Sequence, residues 1–430
     1  MRHRLMGGVA SALLAIVASG VSAGGVMAKT QHVNMVVRWN QTMLSTFAVA
    51  GVPAPASSRL AAIVAAAAFD AVDGIQRKYT PIHVPAAAPQ GASPQAAAAA
   101  STYTALVLLF PAQKPSLDAA LAESLASLDD EDSNGRSIAA GVAWGNQVGS
   151  EIVAWRGGDG FAATPPAYVF DTTPGQWQPT PGGSGPPRFR TLATTEPFAL
   201  TSPSQFRPAG PPALTSARYA LDLNEVKAYG GQISSVRTAY QTETAVFWQV
   251  DTPPSLWDRV ADSLAAAHHF NLIQTARLLA FLNIAMADAS FAVWDAKTFY
   301  NSWRPVTAIQ NAEADGNDAT SADTTWMPLL VTPYFQEYPS AHAGISSAAT
   351  HVLTSYFGGQ VGFTMTSAGL PGVERSFTSF DAALQQVGDA RIYAGFHFRF
   401  SCDDGAVLGQ EVGAWVQSTL MQPAPEDGNN

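Results

Sequence analysis

The chain has little of what commonly holds secreted proteins together. It contains one cysteine, Cys402, so no internal disulfide can form and a buried core must carry the fold. Cations are scarce too: 23 Lys and Arg stand against 33 Asp and Glu, a formal net charge of -10. That balance argues against nucleic acid or an anionic membrane surface as the main partner. It also means that clustered basic residues need a reason. The N-terminal half has no stretch that alternates with a period of two, so strands are not expected there. Beyond the first thirty residues no run reads as a membrane span.

What is present is length and apolar content. With 430 residues, 47% of them hydrophobic, the chain can bury a large core in one large domain or two. Met1 to Ala28 reads as a secretory signal: Arg2 and Arg4 are followed by the short apolar run Gly8 to Val21. Val21-Ser-Ala23 and Val26-Met-Ala28 are small-x-small cleavage sites; an uncleaved anchor is the alternative. The mature protein is expected to be secreted or periplasmic, with no membrane segment after cleavage.

Helical patterns cover the N-terminal part, residues 29–156. They run over Val33 to Ala50, Ser58 to Ile75, Pro94 to Phe110, Ser116 to Leu128 and Ser137 to Trp155, several of them rich in Ala, the best helix former. Asp129-Asp-Glu-Asp132 reads as a solvated turn, and Pro85 to Pro94 as a surface loop. Residues 157–212 hold many of the 29 prolines and 35 glycines, which excludes helix through much of the stretch. Trp177, Phe189, Phe198 and Phe206 argue that this loop is packed and ordered, across the surface at the rim of a site.

The C-terminal part, residues 213–421, is helical again: Ser216 to Tyr229, Ser234 to Val250, Ser255 to Asn271, Gln274 to Tyr300 and Ser340 to Tyr356. Two more helices lie within Phe380 to Gln417, with a break near Gly395. Asn311 to Thr325 reads as a polar loop, and residues 422–430 as a frayed tail. Gln274 to Tyr300 is apolar nearly all round and is expected at the centre, where Asn283, Asp288 and Asp295 must find partners. The fold class is all-α, as two packed helical bundles joined by the long loop.

Three short blocks carry the chemistry. Lys297 and Arg304 are seven apart, nearly two helical turns, so both should lie on one face with Trp294 a turn earlier. Pro305 disfavours helix at Arg304, where the helix should end. Pro339-Ser340-Ala341-His342 opens a helix: Ser340 is a favoured N-cap, and its hydroxyl and the amide of Ala341 can donate to an anion. Arg391 and His397 are six apart, about 240° around a helix, so convergence needs a bend at Gly395. His397 can serve as a neutral ligand or as a nucleophile, and its other nitrogen then needs an acceptor. Taken singly, the second block is an ordinary capped helix and His397 a core histidine. Taken in order, the blocks supply three cations, a hydroxyl at a helix start and two imidazoles, which is what a tetrahedral oxyanion needs.

This order, Lys-x6-Arg-Pro, then Pro-Ser-x-His, then Arg-x5-His, resembles the signature shared by vanadium-dependent haloperoxidases and the type 2 phosphatidic acid phosphatase and bacterial acid phosphatase superfamily. Asn224-Glu-Val-Lys, Arg237-Thr and Phe69-Asp-Ala-Val72 are similar to the secreted bacterial haloperoxidase branch. The resemblance implies a pair of four-helix bundles. It implies that Lys297, Arg304, Arg391, Ser340 and the Ala341 amide bind the oxygens of vanadate, with phosphate an alternative occupant. His397 would be the ligand on vanadium, His342 the acid–base group, and Trp294 and Phe335 the neighbours of the halide. The implied reaction is oxidation of halide by hydrogen peroxide to hypohalite, with an organic acceptor as a further possible partner. The alternatives are a phosphatase acting through a phosphohistidine on His397 and a degenerate oxyanion-binding protein. Two positions depart from the family pattern. Ala341 stands where Gly is usual. Ser401 stands where an Asp often follows the ligand histidine, and Asp403 or Asp404 is expected to substitute.

Overall fold

The computed structural model describes residues 34–128 and 135–425. The expected signal segment, the acidic turn at 129–132 and the last five residues lie outside them. The helices are α1 (Met35–Ala50), α2 (Ala54–Gln76), α3 (Pro94–Leu109), α4 (Lys114–Ala126), α5 (Arg136–Gly157), α6 (Ala217–Tyr229) and α7 (Ala239–Val250). They continue as α8 (Pro253–Ala267), α9 (Leu272–Tyr300), α10 (Pro305–Gln310), α11 (Ala341–Phe357), α12 (Phe380–Tyr393) and α13 (Arg399–Thr419). Short polar side chains start many of them: Asn34, Ser93, Ser216, Thr238, Thr252, Asn271, Ser340 and Ser379 each accept a first-turn N–H.

α9 is the core. It is long and apolar enough to cross a membrane, but 94% of its apolar window is buried inside the protein. α2 packs on it from the N-terminal part, and α11, α13 and α8 pack on it from the C-terminal part. α11 and α13 approach closely because Gly409 has no side chain; a Cβ there would fall 2.0 Å from the carbonyl oxygen of Gly344. The three polar residues expected to need partners in α9 each find one. Asn283 donates to Asp258 at 2.8 Å, and Asp295 pairs with Arg207 at 2.7 Å. Asp288 accepts the N–H groups of Phe198, Ala199 and Leu200 at 2.7, 2.8 and 3.0 Å, which pins the long loop to the core helix. The loop is ordered and irregular apart from one short turn at Arg190–Thr194.

Several expectations are corrected. α9 ends at Tyr300, because Asn301 takes a left-handed conformation (φ 48°), one that Asn tolerates. Lys297 and Arg304 are therefore not on one helical face: Arg304 is the N-cap of α10. α7 starts five residues after Ser234, whose hydroxyl accepts the N–H groups of Val236 and Arg237 in a turn instead. A two-stranded hairpin, β1 (Phe363–Thr366) and β2 (Glu374–Phe377), interrupts the helices; Phe363 and Phe377 face each other on it. The tail is not frayed through residue 425: Gln422 and Ala424 hydrogen-bond Thr80 and Lys78.

Candidate oxyanion site

Three element junctions bring the three blocks together. The first is the break between α9 and α10, which carries Lys297 on one side and Arg304 on the other. The second is the start of α11, with Ser340 as N-cap and Ala341 as its first residue. The third is the turn between α12 and α13. There α12 stops at Tyr393 and Gly395 takes φ +81°; a Cβ on it would fall 2.5 Å from the carbonyl oxygen of Gly230. That turn lets Arg391, in the last turn of α12, and His397, just before α13, belong to one site.

The segment Phe335–Glu337 ties these junctions to each other. Lys297 Nζ donates to the carbonyls of Gln336 (2.9 Å) and Glu337 (2.7 Å). Arg304 Nε donates to the carbonyl of Phe335 (2.8 Å), and its Nη1 reaches the Phe396 carbonyl at 3.0 Å and His397 Nε2 at 3.2 Å. His397 Nδ1 lies 2.7 Å from Glu337 Oε1, which also accepts the N–H of Phe398 at 3.1 Å. Arg391 has one partner, Gln249 Oε1, at 2.9 Å from its Nη1.

Five polar atoms of the site are left over. Arg304 Nη2, Arg391 Nε and Nη2, Trp294 Nε1 and His342 Nε2 are buried and have no hydrogen-bond partner. A buried polar group left unpaired costs about 1–3 kcal/mol, more for a charged one. The amide of Ala341 belongs to the first helical turn, whose N–H groups have no partner within the helix. Lys297, Arg304 and Arg391 are completely buried with one carboxylate, Glu337, among them. The pocket is short of acceptors and of negative charge, and an oxyanion supplies both.

The surroundings shift the titrating groups accordingly. Burial, then the charges of Arg391, Lys297 and Arg304, holds His342 well below the usual imidazole range. His397 is held down by burial and then by Arg304 and Lys297. Both shifts favour the neutral imidazole. Burial pushes Arg304 and Arg391 down to about 10 and, with Arg304 beside it, depresses Lys297 strongly. An anion in the pocket opposes these shifts, so the full charge of Lys297 belongs to the filled site. Burial raises Glu337 to about 7 against the pull of Lys297 and Arg304.

Trp294 and Phe335 form one wall, ring centroids 5.2 Å apart. Lys297 Nζ lies 5.5 Å and Arg304 Cζ 5.0 Å from the Phe335 ring. Phe189 of the long loop packs edge-on against Phe335, so that loop reaches the wall of the pocket. Of the site residues expected from the sequence, Phe335 and His342 keep part of their surface exposed.

Neither Asp403 nor Asp404 stands in for the missing carboxylate after His397. Asp403 pairs with Arg218 at 2.8 Å and Asp404 accepts from Tyr338 at 2.6 Å. Glu337 takes the place instead, from a different segment. It went unnoticed in the sequence, as did Gln249. The available signal was a lone carboxylate between Phe335 and Tyr338, close to three cations that needed a counter-charge.

Comparison with known proteins agrees with this geometry. Residues 277–425 match the family model for the second helical-bundle domain of vanadium chloroperoxidase, and every pocket residue from Trp294 to His397 falls inside that span. The vanadium chloroperoxidase of Curvularia inaequalis is 27% identical over 248 residues, 47% of this chain. Over this span the chain is similar to vanadium haloperoxidases. The match spans only 40% of the length of the Curvularia protein. The crystal structure of a bacterial vanadium-dependent iodoperoxidase superposes with a TM-score of 0.76 at 27% identity, covering 91% of this chain and 97% of that one. The apo form of a bacterial vanadium-dependent chloroperoxidase shares the fold, with a TM-score of 0.68 at 17% identity over 85% of this chain and 92% of that one.

Proposed function

We propose that this protein is a vanadate-dependent haloperoxidase that oxidises halide with hydrogen peroxide. The observation that carries the reading is the set of five unpartnered buried atoms on Arg304, Arg391, Trp294 and His342 beside a histidine whose Nδ1 is already engaged. Vanadate fits this donor set: Lys297, Arg304, Arg391, Ser340 and the Ala341 amide would hold its oxygens, and His397 Nε2 would be its protein ligand. When bound, it supplies a Lewis acid that activates peroxide without changing oxidation state.

The chain's own residues do the rest. The three cations neutralise the anion and polarise the oxygens they touch. His342 is neutral and its Nε2 is free, so it can take a proton from an incoming peroxide. Trp294 and Phe335 offer an apolar wall for a halide, and the neighbouring Lys297 offsets the cost of stripping water from it. Release of free hypohalite is the simplest outcome, with no acceptor bound.

The test uses purified, metal-free protein given vanadate, peroxide and either bromide or iodide, and separately a chromogenic phosphate ester. Vanadate-dependent halogenation with little ester hydrolysis supports the proposal. Ester hydrolysis without halogenation would assign the pocket to a phosphatase. Silence in both assays with measurable phosphate binding would leave a binding protein.

A further inference from the structure

We propose that Glu337 is the positioning residue of the site: it decides which nitrogen of His397 faces the oxyanion. The inference rests on the oxyanion reading above.

A neutral imidazole has one N–H and one lone pair, and a carboxylate only accepts. Glu337 Oε1 lies 2.7 Å from His397 Nδ1, so the proton sits on Nδ1 and the lone pair on Nε2. Nε2 is the nitrogen approached at 3.2 Å by Arg304, whose Nη2 is one of the unpartnered donors. Ser401, the residue four after His397, places its hydroxyl 3.4 Å from Nδ1, too far to do this alone. The same segment orients the cations: the carbonyls of Phe335, Gln336 and Glu337 hold Arg304 and Lys297. The Glu337 N–H is itself fixed by the carbonyl of Ser302 at 3.0 Å. One extended segment thus sets three of the six site residues.

A rival role is available to a completely buried carboxylate among three cations, that of counter-ion only. The two roles make opposite predictions. A counter-ion repels any incoming anion, so its removal tightens phosphate and vanadate alike. A positioning carboxylate also prepares a nitrogen lone pair. That lone pair adds a bond to vanadate and none to phosphate resting in the pocket.

The decisive comparison is equilibrium affinity for vanadate and for phosphate, in wild type, Glu337→Gln and Glu337→Asp. Positioning predicts that Glu337→Gln weakens vanadate by roughly 10–100-fold, as carboxylates behind ligating histidines do, while phosphate holds or tightens. Glu337→Asp keeps the charge but draws it back by one methylene, and should lose vanadate as well. Tightening of both anions in Glu337→Gln, with Glu337→Asp like wild type, would leave only the counter-ion role and overturn the proposal. A second measurement needs no variant. In ¹⁵N-histidine-labelled wild type, His397 should carry its proton on Nδ1, the tautomer disfavoured in free histidine; a proton on Nε2 overturns the proposal. Failure of wild type to bind vanadate would instead contradict the haloperoxidase reading.

Discussion

Two buried polar clusters in this protein lack opposite things. Around His397 the surplus is of donors: two guanidinium groups and an indole have N–H groups without partners. Between α1, α8 and α9 the surplus is of acceptors. There Asn40 donates to Asp262 at 3.1 Å and Asn283 to Asp258 at 2.8 Å. Asp258 Oδ2, Asp262 Oδ2 and Asn283 Oδ1 have no partner. Burial raises Asp258 to about 7; burial, and then the neighbouring Asp258, raises Asp262 well above the carboxylate range. The difference teaches how to read an unsatisfied cluster. A carboxyl can supply its own missing donor by taking a proton. A guanidinium cannot supply a missing acceptor. Only the donor-rich cluster therefore demands a ligand. Asp70 and Asp288 show the settled case, each accepting three consecutive backbone N–H groups.

The largest expected effect separates binding from stability. Arg391 has a single partner and two empty donors, so Arg391→Leu should weaken vanadate by two decades or more, about 2.7 kcal/mol. The unliganded protein should unfold at an unchanged or higher temperature, because a buried unpaired charge is gone. Calorimetry with and without vanadate reads both quantities. Lower apo stability with intact binding would place Arg391 in the scaffold.

The acceptor-rich cluster should respond to pH where the pocket responds to anions. A carboxyl raised in the folded state contributes stability that is fully present below its unfolded value near 4. For Asp258 that stability is lost as pH rises toward about 7. Asp258→Asn should flatten this limb, by up to about 1.4 kcal/mol per pH unit, in denaturant titrations between pH 4 and pH 7. The imidazoles slope the other way. Depressed values on His342 and His397 cost stability as pH falls below their unfolded range near 6.5, and that acid limb should persist in Asp258→Asn. An unchanged slope in the variant would mean that Asp258 does not titrate in this range.

The smallest effect is expected at Ala341. It is the first residue of α11 and is not among the residues with positive φ. Its Cβ points back along the helix and leaves the amide free to donate. Ala341→Gly should change vanadate affinity by no more than a few-fold in reconstitution titrations. A loss of more than a decade would remove this amide from the oxyanion shell.

Much of this was legible before any coordinates. Helix starts are local, so Ser216 and Ser340 announced themselves beside apolar runs, whereas Asn271, which caps α9, was taken for the end of the helix before it. The bend at Gly395 followed from two residues that had to meet and sat 240° apart by helical period. What was not legible depended on partners distant in sequence. Pro305 marked a helix end, but the left-handed Asn301 ended α9 four residues sooner. The hairpin strands are four residues each, too short for an alternating pattern to register. Glu337 was missed because composition reveals a shortage of cations and not which buried cation lacks a counter-charge.

The most direct test of the contrast between the two clusters is an equilibrium titration of dialysed wild type and His342→Ala with vanadate, phosphate competing. His342 is assigned to proton transfer and not to holding the oxygens, so its removal should leave one vanadate site per chain within a few-fold of wild-type affinity. Phosphate should displace the vanadate, and peroxide-dependent halide oxidation should fall by orders of magnitude. Contradiction would be the absence of saturable vanadate binding in wild type, or binding that phosphate does not displace.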